Sequence, residues 1–184
     1  MDDDEVVVRR RDDGALELRV NGVFVMDDVE TTSERRLAEV VLERGARDVL
    51  VGGLGLGFTV RALLEDTNVR MVLVAELHPD VVAACTVDDS RLEVVIGDVR
   101  DLVAEQPPTF DAVLLDVDNG PDHLVHADNA AVYGDAFVAE CARILRPGGT
   151  LAVWSMADSP GLRATLDAHL VDVAVKRPRI PVPR

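Results

Sequence analysis

Apolar residues along this chain fall into two alternating rhythms, short valine-rich runs and stretches of helical spacing. Val6 to Val8, Leu16 to Val20 and Val23 to Met26 read as short strands. Between them, Asp12-Asp13-Gly14 and Asn21-Gly22 are turn signals, because both favour the positive φ that tight hairpins need. Residues 1–30 therefore predict a small β-meander, an N-terminal hairpin extension. Thr31 with Glu34 has the spacing of a capping box, and Leu37, Val40 and Val41 give the following helix its apolar face. Gly45 ends that helix.

From there the rhythm becomes strand, helix, strand. Asp48 to Val51, Met71 to Ala75, Leu92 to Ile96, Phe110 to Leu115 and Thr150 to Trp154 predict five strands. The intervening helices are expected near Phe58 to Leu64, from Pro79, around Val99 to Ala104 and over Asn129 to Leu145. Pro147-Gly148-Gly149 turns the last of these into the fifth strand, and a helix near Leu162 to Leu170 and a strand near Val171 to Val175 complete the series. Such alternation implies an α/β fold with a mostly parallel, doubly wound sheet and right-handed crossovers. Residues 31–177 form one domain in this reading, and the proline-rich residues 178–184 a loose C-terminal tail.

Composition changes the picture in few places. The net charge of -15 repels a phosphate backbone, which argues against nucleic acid as a partner and suits a cationic small molecule, although acidity alone also serves solubility. The acidic start, Met1-Asp2-Asp3-Asp4-Glu5, is unlike a signal peptide, and no apolar run approaches membrane-spanning length, so a cytoplasmic protein with no membrane partner is expected. Cys85 and Cys141 lie far apart in apolar helical contexts and read as buried packing residues.

Four segments at strand ends carry candidate chemistry. Gly52-Gly53-Leu54-Gly55-Leu56-Gly57 follows a strand and opens a helix, where glycines allow a tight turn and close approach of a ligand. Glu76 ends the next strand, where a carboxylate accepts from both ribose hydroxyls; the alternative is a solvated strand end. Asp98 closes the third strand, as an acceptor for an adenine amino group, as the N-cap of the next helix, or both. Asp116-Val117-Asp118-Asn119-Gly120-Pro121 closes the fourth, as a group that orients or deprotonates an acceptor or as a plain turn. His123 and His126 have spacing for a metal only if helical; loop solvation is the preferred reading, and no metal is expected. Tyr133 reads as packing with a polar tip or as a pocket wall.

Together with Arg146-Pro147-Gly148-Gly149, these segments resemble the class I S-adenosylmethionine-dependent methyltransferases, and within them the spermidine synthase (aminopropyltransferase) group. Leu18 to Asp27 is similar to that group's hairpin, Gly53 to Arg61 to its glycine loop, Ala75 to Val82 to its E-I-D-P-x-V-V segment and Phe110 to Asp116 to its Y-D-x-I-x-x-D strand. Gly120-Pro121, Leu124 and Val132-Tyr133 follow its G-P-A-x-x-L…F-Y pattern. The resemblance implies a Rossmann-like class I methyltransferase fold and a donor site of Gly53, Gly55, Gly57, Glu76, Leu77, Asp98, Val99 and Asp116. It also implies a catalytic Asp116 and a substrate site with Asp118 and Tyr133.

The sequence departs from the group in the amine half. The loop's acidic residue falls at Leu56, the Tyr-His-Glu that opens the amine-site helix falls near Ser33-Glu34-Arg35, and Asp118 is displaced by one position. Leucine cannot bind an ammonium. The leading reading is therefore transfer of a methyl group from S-adenosylmethionine to an unidentified small molecule, an amine among the candidates. Aminopropyl transfer from decarboxylated S-adenosylmethionine, as in polyamine biosynthesis, is the first alternative, and a noncatalytic nucleoside-binding scaffold the second. A homodimer would form through the hairpin or a sheet edge.

Overall fold

The computed structural model describes residues 5–124 and 127–177. Three antiparallel strands come first: β1 (Val6–Arg10), β2 (Leu16–Val20) and β3 (Val23–Asp27). Asn21 and Gly22 take φ of 52° and 75°, the paired left-handed conformation their sequence favours. Helix α1 (Thr32–Leu42) leads into β4 (Asp48–Gly52), and then come α2 (Phe58–Glu65), β5 (Met71–Glu76), α3 (Pro79–Ala84), β6 (Leu92–Ile96), α4 (Val99–Glu105) and β7 (Phe110–Leu115). A 3-10 helix (Ala127–Tyr133), α5 (Asp135–Ile144), β8 (Leu145–Val153) and α6 (Pro160–His169) follow.

Strands β4 to β8 form one parallel sheet in the order β6-β5-β4-β7-β8. The chain winds outward from β4 in one direction through β5 and β6, then returns to the other side for β7 and β8. This reversal makes the carboxyl end of β4 a topological switch point, where such sheets bind ligands. Period-2 alternation sorts the central strands between two cores. Val49 and Val51 of β4 and Ala112 and Leu114 of β7 pack with Leu37, Val41, Val60 and Leu63 of α1 and α2. Leu50, Val113 and Leu115 pack with Val103, Phe137, Cys141 and Ile144 of α4 and α5. The meander joins the first core through Leu18, which is 2% exposed.

Several elements differ from the sequence reading. The 127–145 region is not one helix, because Gly134 is extended (ψ 161°) and separates a 3-10 turn from α5. The fifth strand begins at Leu145, and the Pro147-Gly148-Gly149 turn, with Gly148 at φ +83°, is an irregularity inside it. No strand forms over 171–175: Asp172 adopts φ +58°, which breaks the extended run, and Val171 is 89% exposed. α6, with no buried residue, offers that segment little to pack on. Thr31 makes no side-chain cap on α1, and Glu34 Oε2 accepts the Ser33 hydroxyl (2.8 Å). Cys141 is buried, whereas Cys85 is half-buried. The tail 178–184 and His126 lie outside the described residues. Among the described residues, no helix is long and apolar enough to cross a membrane.

Candidate functional site

One cleft sits at the switch point, over the carboxyl ends of β4, β5, β6 and β7 and beneath the meander. Its floor is the glycine loop. Gly53 N–H donates to Ala75 O (2.9 Å) and Asp116 N–H to Gly52 O (2.8 Å), so the loop is tied to both neighbouring strands. Gly53 takes φ +89°, and a Cβ there would stand 2.1 Å from the Asp116 carbonyl oxygen. Gly53→Ala is therefore expected to destabilise the protein by at least about 3 kcal/mol, seen as a lowered denaturant midpoint. A midpoint within experimental error of the parent would contradict this packing.

Glu76 is 7% exposed. Its Oε2 accepts Leu54 N–H (2.9 Å) and its Oε1 accepts His78 N–H (2.9 Å), so this carboxylate organises the loop and the turn after β5. Each oxygen has a further acceptor site, and Glu76 also lines the cleft, beside Leu77. Asp98 caps α4 by accepting Arg100 N–H (2.8 Å), the bland reading of its sequence position. The same carboxylate is gripped by Arg100 Nε (3.0 Å) and Nη2 (2.5 Å), and these bonds hold its pKa below the usual carboxylate range. Asp98 and Val99 both line the cleft, so cap and cleft roles coincide at this residue.

Asp116 lies across the loop from these groups. Its remaining surface faces the cleft, and the protein around it pushes its pKa up to about 6 by burial. The charge of Glu34 raises it further, while the Thr59 hydroxyl, donating to Oδ2 at 3.0 Å, opposes the rise. Asp118 Oδ1 accepts Asn119 N–H (2.7 Å) and its Oδ2 accepts the Asn129 amide (2.9 Å). Gly120, at φ +99°, brings the turn against Ser155, whose Oγ would lie 2.2 Å from an added Cβ.

Two residues expected in the site stand outside the cleft lining. Gly57 is the left-handed N-cap of α2, and an added Cβ there would meet Cys85 Sγ at 2.8 Å; close packing explains this glycine. Tyr133 is 6% exposed, behind Asp118, with its hydroxyl accepting from Gly120 N–H and its pKa raised by burial and by the nearby carboxylates. The Arg146 motif lies at the opposite end of the sheet, where Arg146 bridges Asp111 (2.6 Å) and Asp48 (2.8 Å) at the start of β7 and β4.

Other lining residues were not singled out from sequence: Met26, Thr59, Asn129 and Trp154; Glu34, read there as a capping-box residue near the position of the group's Tyr-His-Glu, also lines the cleft. Met26 Sδ accepts Leu56 N–H at 3.2 Å and fills the space above Gly55, so the meander bears directly on the loop. Leu56 itself is 4% exposed and points into the core. Trp154 had a legible signal, its place just past the end of a parallel strand.

A doubly wound parallel sheet, a glycine loop at its switch point and acids on the next two strand ends define a Rossmann-like domain, a fold that places ligand sites at that point. Residues 50–153 match the methyltransferase domain family. The chain belongs to that family and is a spermidine synthase-like member of the class I S-adenosylmethionine-dependent methyltransferase fold. It is 34% identical over 168 residues to a polyamine aminopropyltransferase of Mycobacterium tuberculosis, covering 84% of this chain and 31% of that protein. A polyamine aminopropyltransferase 2 of Pseudomonas aeruginosa is 33% identical over 121 residues, covering 58% of this chain and 33% of the relative. The chain thus spans about a third of the length of these curated relatives. A spermidine synthase in complex with the transition-state analogue AdoDATO superposes with a TM-score of 0.72 at 20% identity, over 83% of this chain and 55% of the other. The Thermotoga maritima spermidine synthase gives 0.69 at 20% identity, over 83% and 54%. Both of these relatives are named as aminopropyltransferases, whereas the departures in the amine half lead the sequence reading to methyl transfer.

Proposed function

We propose that the chain is the donor-binding and catalytic domain of an aminopropyltransferase, which moves the aminopropyl group of decarboxylated S-adenosylmethionine to an amine. The observation that carries this reading is the charge of the cleft. Among its described lining residues are Glu34, Glu76, Asp98, Asp116 and Asp118, and no arginine or lysine. The N–H groups of Gly53, Leu54, Leu56 and Gly57 already donate to protein acceptors, so the glycine loop is not a ready anion cradle. The methionyl carboxylate of S-adenosylmethionine would sit by Glu34 and Asp116 with no cation to meet it. The decarboxylated donor carries only a sulfonium and an ammonium, which those acids favour. Glu34 supplies the negative charge that the loop lacks at Leu56.

In this reading Glu76 accepts from the ribose hydroxyls, Asp98 from the adenine amino group, and Gly53, Gly55, Leu77 and Val99 shape the nucleoside half. The acceptor nitrogen attacks the methylene carbon bonded to sulfur. The new C–N bond forms as the C–S bond breaks, the electron pair stays on sulfur, and methylthioadenosine leaves. Asp116 accepts a hydrogen bond from the attacking amine and then its proton. Most of the acceleration comes from holding nitrogen, carbon and sulfur in line. Incubation with decarboxylated S-adenosylmethionine and a panel of primary amines is expected to release methylthioadenosine in step with amine consumption. If S-adenosylmethionine instead yields S-adenosylhomocysteine with an amine acceptor, while the decarboxylated donor gives nothing, the reading is wrong.

A further inference from the structure

Asp116 is fixed at its backbone and held by a single bond at its side chain. Its N–H donates to Gly52 O (2.8 Å), and Gly53 packs against its carbonyl oxygen, so β4 and the glycine loop set where the side chain starts. Among the described residues, the one group that donates to its carboxylate is the Thr59 hydroxyl, 3.0 Å from Oδ2. Thr59 lies in the first turn of α2 and is 3% exposed, so packing fixes it in place. A threonine in a helix can turn its hydroxyl back to the preceding turn of its own backbone; this one reaches across to the end of β7. Oδ1 of Asp116 accepts nothing from the described residues, yet no buried side-chain oxygen or nitrogen among them lacks a partner, so Oδ1 opens to the cleft. The two oxygens therefore have separate duties, one anchored and one facing the ligand.

We infer that Thr59 is a positioning residue for the transfer: by anchoring Oδ2 it sets the direction in which Oδ1 meets the attacking nitrogen. The inference rests on the aminopropyl-transfer reading and deepens it, because it assigns the oxygen that accepts the proton. A carboxylate free to turn about χ1 and χ2 presents that oxygen in the productive direction only part of the time. The same bond favours the ionised form of Asp116, the form able to accept a proton, against burial and the charge of Glu34. Glu34 from α1 and Tyr133 from the 3-10 helix are the titratable groups that act on Asp116, and Asp118 follows in its own turn; all three are common to the proteins compared below.

The test compares the full chain with its Thr59→Val and Thr59→Ser variants, using decarboxylated S-adenosylmethionine with 1,4-diaminobutane and with butylamine. Valine keeps the shape of threonine without the hydroxyl. Thr59→Val is expected to lower kcat for methylthioadenosine release about tenfold at about pH 8 and to change the KM for the amine less than about threefold. It should also move the acid limb of kcat from about 6 to about 7. Thr59→Ser, which keeps the hydroxyl, should retain the parent limb and most of kcat. The Asp116 carboxyl is followed separately, without donor or amine, by carbon-13 NMR of aspartate-labelled protein, its signal assigned with Asp116→Asn. Its titration should move up in the valine variant and stay in place in the serine variant. An equal fall in kcat at every pH, with an unmoved carboxyl titration, makes Thr59 a packing residue and overturns the inference while aminopropyl transfer stands. Failure of the parent to yield methylthioadenosine with either amine counts against the transfer reading. The carboxyl titration then still decides the hold of Thr59 on Asp116: the valine variant must titrate at higher pH than the parent, or the inference falls.

Discussion

Asp116→Asn is expected to lower kcat by about 10³-fold and, at the same time, to make the folded protein more stable at neutral pH. The two effects have one origin. A carboxylate set at the switch point, surrounded by protein and facing Glu34, is held in a place that disfavours its charge, and its pKa rises to about 6. Above that pH it is an ionised acceptor poised for an amine proton, so turnover should fall as the pH drops through about 6. The stability effect has the opposite sign. Because the folded-state pKa is raised, the stabilising contribution of this group is fully present below the ordinary aspartate value near 4 and is lost as the pH rises through about 6. Asparagine keeps the Thr59 bond without the charge. The variant should therefore gain about 1–3 kcal/mol over the parent at pH 7.5, after allowance for screening by water in the cleft, and almost nothing at pH 4. Chemical denaturation of both proteins at the two pH values reads this directly. The comparison between variant and parent matters, because Asp89, held down to about 2 by Arg91, runs the other way and is common to both. An equal change at both pH values would assign the effect to packing.

The second large effect is expected at Glu34. Its charge is felt at Asp116, and it occupies the half of the cleft where the donor's aminopropyl or methionyl end must lie. Glu34→Gln should weaken the decarboxylated donor by about tenfold and leave S-adenosylmethionine little changed, since only an attraction is lost in the first case, while in the second the attraction to the ammonium and the repulsion of the carboxylate are lost together. Glu34→Arg should go further and reverse the order of the two donors, because it places a cation against the methionyl carboxylate. Calorimetry on the parent and both variants gives all the ratios. If Glu34→Arg weakens both donors alike, Glu34 serves the shape of the cleft and not its selectivity.

The parts of the fold that were legible in the sequence are those fixed by local rules. β7 begins and ends where the apolar run over Phe110 to Leu115 does, because a central parallel strand is covered on both faces; β6, at the sheet edge, keeps the bounds Leu92 to Ile96 although Glu93 and Ile96 are exposed. Asn21-Gly22 and the glycine loop declare their backbone conformations through the lack or tolerance of a side chain. What was not legible depends on distant partners. Val171 to Val175 alternates like a strand, but pattern alone supplies no neighbour to pair with, and Asp172 turns left-handed. Gly57 looks like a ligand-facing glycine until Cys85 is seen packed against it. Glu34 fits a capping box on spacing, yet its carboxylate faces Asp116 across the cleft. Met26 carries no sequence signal for its contact with Leu56 N–H, which exists only because the meander folds back over the loop. The acids at 76, 98 and 116 were legible as strand-end residues; their second duties, to Leu54 N–H, Arg100 and Thr59, were not.

The central claim is that an anionic cleft, with no arginine or lysine among its described lining residues, selects the donor that has lost its carboxylate. Titration of the purified chain with decarboxylated S-adenosylmethionine and with S-adenosylmethionine, side by side in one buffer by calorimetry, tests it most directly. The decarboxylated donor is expected to bind at least about fiftyfold more tightly, the size of effect that one misplaced like charge produces. Equal binding, or tighter binding of S-adenosylmethionine, would contradict the claim and return methyl transfer to the lead.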